Sequence, residues 1–122
     1  FLGGDKLATY EIETYYGATV GNVSADPADP VQSEPATLSV RVVSPDALLK
    51  GASLKLVAPK GSFRGDMELP LAAIPKGGSS IGSFAVTPLR SGPVPLMVEL
   101  WVGKQVIDKR PCTVRVALFN VG

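Results

Sequence analysis

Residues 92 to 118 constrain the fold more than any other stretch. In the first half Val94, Leu96, Val98, Leu100 and Val102 alternate with other residues, and in the second half Cys112, Val114, Val116 and Leu118 do the same. A period of two is that of a strand with one face buried. Gly103-Lys104 separates the halves. A glycine at the first central position suits a two-residue type II′ turn, whose backbone needs positive φ there. The stretch therefore predicts a long β-hairpin, and with it an all-β domain.

The chain before the hairpin keeps the same character. Thr9 to Tyr16 predicts a strand with Tyr10, Ile12 and Tyr16 on one face, and a short extension through Val20 and Val23. Thr37 to Ser44, Ala52 to Ala58, Asp66 to Ile74 and Ser80 to Thr87 predict four more. Leu38, Val40, Val42, Leu54, Leu56, Phe84 and Val86 are the expected inward residues. In the Asp66 to Ile74 run, Met67, Leu69, Leu71 and Ala73 share a side, and Pro70 makes it an edge strand. Ala47 to Lys50 predicts one helical turn. Residues 1 to 7 read as a linker, and 24 to 35, with two Asp-Pro steps, as a polar loop. The eleven prolines and thirteen glycines fall largely between the apolar runs, as many short strands require.

Seven strands at this spacing predict an antiparallel, immunoglobulin-like β-sandwich. At 122 residues the chain makes a single domain, from 1 to 122, and the missing initiator Met suggests a piece of a larger protein.

Composition removes several functions. There is no histidine, the commonest general base and metal ligand. Cys112 is the only cysteine, so no intrachain disulfide forms and no nucleophile–base pair is evident. It is expected to be a small buried hydrophobe. The chain is expected not to be an enzyme, and no cofactor or metal is expected. A net charge of +1 gives no signal for nucleic acid, and no run is long enough to insert in a membrane. Charge is uneven, net −5 over residues 1 to 35 and +6 over the rest, which predicts an acidic segment lying across a mildly basic sandwich. The lone cysteine tilts localisation toward the cytoplasm, with a bacterial cell surface or secretion as the alternative.

Short motifs add little. Arg64-Gly65-Asp66 matches the integrin-binding tripeptide, and its context suggests a loop tip. Asn22-Val23-Ser24 matches a glycosylation acceptor. Glu11 and Glu13, with Asp26, Asp29 and Glu34 after them, form no recognised calcium loop.

Residues 36 to 118 carry an ordered set of turn glycines, prolines and strand apolar residues, with no internal repeat. Leu54-Lys-Leu-Val-Ala-Pro59 is followed by Ile74-Pro-Lys-Gly-Gly-Ser79, then by Phe84-Ala-Val-Thr-Pro88, and Ser91-Gly92 opens the hairpin. This resembles the Ig-like modules of bacterial multidomain proteins, of the CARDB and NEW3 types. The resemblance implies a non-catalytic accessory or interaction module that positions neighbouring domains or binds a protein. It supplies no site residues.

The surface expected to serve a partner comes from the outward positions. Tyr15, Trp101 and Phe119 would form an apolar patch, with Arg41, Lys55, Glu99 and Arg115 at its rim. A carbohydrate- or ligand-binding sandwich is the alternative reading, with exposed rings as platforms. An unpaired edge strand would also allow a homodimer.

Overall fold

The computed structural model describes residues 17–118. The expected first strand, Thr9 to Tyr16, lies outside the described residues, as do Tyr15 and Phe119. Two antiparallel four-stranded sheets make up the described chain, which contains no helix. The fold is the expected all-β sandwich, with eight strands where seven were counted.

The strands are β1 (Thr19–Asp26), β2 (Ala36–Ser44), β3 (Ala52–Val57), β4 (Phe63–Gly65), β5 (Glu68–Pro70), β6 (Gly78–Pro88), β7 (Gly92–Val102) and β8 (Gln105–Val116). One sheet has the order β1-β2-β6-β4 and the other β5-β3-β7-β8. The inner faces bury the apolar residues that alternation picked out. Leu38, Val40, Val42, Leu54, Phe84, Val98 and Leu100 are each at most 1% exposed, so one continuous core holds the sheets together.

The β7–β8 hairpin forms as expected. Gly103 has φ 60°, and Lys104 is not among the residues of positive φ, the sign pattern of a type II′ turn. A bulge follows, because Leu100 pairs with Asp108 while Trp101 pairs with Val106, leaving Ile107 extra. Pro93, Pro95 and Pro111 all occupy the same class of β7–β8 pair. In an antiparallel ladder alternate pairs turn their N–H groups away from the partner strand. Three prolines on that parity leave the ladder whole and remove donors from exposed margins.

Several expectations are corrected. The extension through Val20 and Val23 is a full strand, β1, with a bulge between those two residues. It takes in Ser24 to Asp26, so the polar loop begins at Pro27 and runs to Pro35. Ala47 to Lys50 is not helical: Ser44 Oγ donates to the Ala47 carbonyl at 2.6 Å, and Leu49 is drawn into the core by a bridge to Ile74. The run from Asp66 to Ile74 keeps only Glu68–Pro70 as strand, and Ile74 is buried where Ala73 was expected inward. Leu118 is 70% exposed, because the strand ends at Val116.

The unforeseen strand is β4. Its three residues hold Arg64 and Gly65, and the Asp66 N–H continues the pairing to the Ala85 carbonyl at 3.1 Å. The Arg-Gly-Asp tripeptide therefore lies along a sheet edge and not at a loop tip. Gly65 has φ 124°, and a Cβ there would run into the Ala85 carbonyl oxygen. The glycine is required by its own backbone and by β6.

Candidate functional site

The outer face of the β5-β3-β7-β8 sheet carries the densest arrangement of interacting side chains. Residues of odd number in β3 and β7 point outward there: Ser53, Lys55 and Val57, and Met97, Glu99 and Trp101. Glu68 and Pro70 of β5 join them, with Lys109, Pro111, Thr113 and Arg115 of β8.

Trp101 organises the centre. Its indole N–H donates to Glu99 Oε1 at 3.0 Å, and the Lys55 ammonium sits 4.0 Å from the centroid of its ring. A cation over an indole face is attracted by the ring quadrupole. Lys55 also pairs with Glu68 at 3.6 Å, and Glu99 with Lys109 at 3.9 Å. The strand register explains these contacts: Glu68 stands beside Lys55, Lys55 beside Glu99, and Glu99 beside Lys109. Four charges of alternating sign thus cross four adjacent strands in one row. Such pairs on an exposed surface add little stability each; Trp101 itself is held by its hydrogen bond to Glu99 and by Lys55 over its ring. Alongside the row lie Val57, 48% exposed, with half-buried Met97 and exposed Pro111.

The structure therefore brings together Lys55, Glu99 and Trp101 of the expected surface. Arg115 shares their face but stands at its far end, opposite Pro93. Arg41 is corrected: it pairs with Ile81 on the outer face of the other sheet, on the opposite side of the sandwich. Glu68, Lys109, Val57 and Met97 complete the site and were missed. Alternation would have placed each of them outward, but which outward residues become neighbours depends on cross-strand register. Among the described residues, Trp101 is the only aromatic of this face, and Lys55 covers it.

Cys112 is half-buried in place of fully buried. It borders a cleft of about 270 Å³ between β1 and β8, with Val23, Leu38 and Val114 beside it. Burial pushes its thiol pKa up, and the nearby Arg110 charge partly offsets this. A second cleft, about 290 Å³, lies beside Asp26, Thr37 and Arg64. Asp29 lines the first together with Cys112, and Asp26 the second together with Thr37. Among the described residues no group of three acidic or cysteine side chains converges as a metal site, and no helix is long and apolar enough to cross a membrane.

No family model matches the chain, and no curated protein matches it.

Proposed function

We propose that the protein is a non-catalytic accessory module of the Ig-like type, which binds a protein partner through the outer face of the β5-β3-β7-β8 sheet. The observation that carries this reading is the fixed Trp101 cluster. An indole held by Glu99 and covered by Lys55 presents an amphipathic surface with its side-chain entropy already spent. Pre-ordered aromatic anchors with charged neighbours are what protein interfaces favour. The exposed apolar margin of Val57 and Pro111 adds contact area beside them. The resemblance to bacterial multidomain modules supports the same reading.

Photo-crosslinking in the source cells tests it. A crosslinking side chain at Met97, in the proposed face, is expected to yield defined protein adducts. The same side chain at Ile81, 64% exposed on the opposite face, is the control. Equal adducts at both positions, or none at Met97, would overturn the reading.

A further inference from the structure

We infer that the Trp101 face is complementary to itself, and that the partner it fits is a second copy of this chain. The inference rests on the reading of that face as a docking surface, and it names the occupant. The argument is one of charge order. Across β5, β3, β7 and β8 the row reads Glu68, Lys55, Glu99, Lys109, minus, plus, minus, plus. An alternating row of even length becomes its own complement when reversed.

Two copies of a sheet face can meet about a two-fold axis lying in the plane between them. An axis running across the strands, along the row, would set each charge against its own copy. An axis running along the strands, midway between β3 and β7, reverses the row. Glu68 then faces the partner's Lys109, and Lys55 faces the partner's Glu99. All four cross-copy pairs are of opposite sign. The same rotation lays Trp101 over the partner's Ser53 and Met97 over the partner's Val57, because those residues are register neighbours in β3 and β7. The largest side chain of the face thus meets its smallest. Charge order selects the axis, and the apolar contacts follow without adjustment.

The sheet edges favour a face over an edge as the meeting surface. β4 and β5 have three residues each. The edge of β8 carries Lys109, Arg110 and Pro111 in succession. Near the start of β1 the Val20 N–H is already taken by Asp108. Short edges, charges and proline are the devices that block edge-to-edge pairing.

Light scattering and sedimentation of the full 122-residue chain test the inference. A weak dimer with a Kd of about 10 to 100 µM is expected, because the face offers one aromatic anchor and otherwise mostly exposed charges. It should weaken at high salt. The variant Glu68→Lys/Glu99→Lys makes the row all positive, and Lys55→Glu/Lys109→Glu makes it all negative. Each alone is expected to be monomeric, and an equimolar mixture to recover a one-to-one dimer. Circular dichroism checks that both fold. If the double variants do not fold, Glu68→Lys serves, since Glu68 is 61% exposed, and it should weaken the dimer about tenfold or more.

Wild-type chain that stays monomeric at about 1 mM, well above the expected Kd, would overturn the inference. So would a dimer that neither charge variant disturbs. A monomer whose Lys55 resists acetylation until residues 1–16 are removed would assign the face to that segment, and would also overturn it. Specific Met97 adducts to a different protein, with a monomeric wild type, would sink the self-complementary dimer and leave the docking reading standing.

Discussion

The side-chain carboxylate of Asp108 accepts a 2.7 Å hydrogen bond from the backbone N–H of Val20. The two residues are 88 positions apart and belong to different sheets. Asp108 is where β8 resumes its pairing after the bulge at Ile107. Val20 opens onto the bulge of β1. Two local irregularities, one in each sheet, therefore meet at one contact that ties the edges of the sandwich together. A second tie lies at the other end of β8, where the Ala117 N–H donates to the Pro30 carbonyl at 2.7 Å.

Asp108→Ala should destabilise the fold by about 1 to 3 kcal/mol, since it leaves a part-buried backbone donor without its charged acceptor. Asp108→Asn keeps an acceptor oxygen and should cost less. Urea denaturation monitored by circular dichroism checks the order, and an Asn variant as weak as the Ala variant would show that the acceptor is not what matters.

The glycines offer a graded test. At Gly82 of β6 a Cβ would sit 2.8 Å from Leu54 Cδ1 and 2.9 Å from Leu69 Cδ1, both ends of side chains that can give way. Gly82→Ala should cost about 1 to 2 kcal/mol through overpacking. Gly65→Ala must displace the β6 backbone and also hold φ 124°, so it should cost clearly more. Equal midpoints for the two in thermal melts would contradict this ranking.

The Cys112 thiol should react slowly. Burial favours the neutral form and raises its pKa, against a smaller lowering by Arg110. At pH 7 to 8 the thiolate fraction, and the alkylation rate with iodoacetamide, should lie below those of a free cysteine with a pKa of about 8.5. Arg110→Ala should slow the reaction further. The linkage has a definite sign: the folded state holds the proton longer than the unfolded state. This contribution to stability is complete below the unfolded pKa and declines as pH rises through the folded value. A rate equal to that of free cysteine at pH 7.5 would show that the thiol is not desolvated.

Lys55→Met removes the cation above the indole and its pairing with Glu68. Trp101 fluorescence should change in wavelength or intensity, with a stability loss of about 1 kcal/mol or less because the pair is partly exposed. An unchanged emission spectrum would mean that Lys55 does not cover the ring in solution.

Much of this molecule is legible in the order of its residues. Alternation in 36 to 44, 52 to 57 and 92 to 102 exposes the core strands, because a side chain's face depends only on its parity along a strand. The turn at Gly103 is legible for the same kind of reason, since positive φ is a local demand. Strand β4 is not legible: Phe63, Arg64 and Gly65 have no alternation to show, and they become a strand because β6 offers an edge. Nor is the separation of Arg41 from Lys55, two outward residues that the layering places on opposite faces. The charge row across four strands belongs to the same category. Parity along a chain decides in or out, but neighbours across a sheet are set by register, bulges and strand order, and these depend on how distant segments pack.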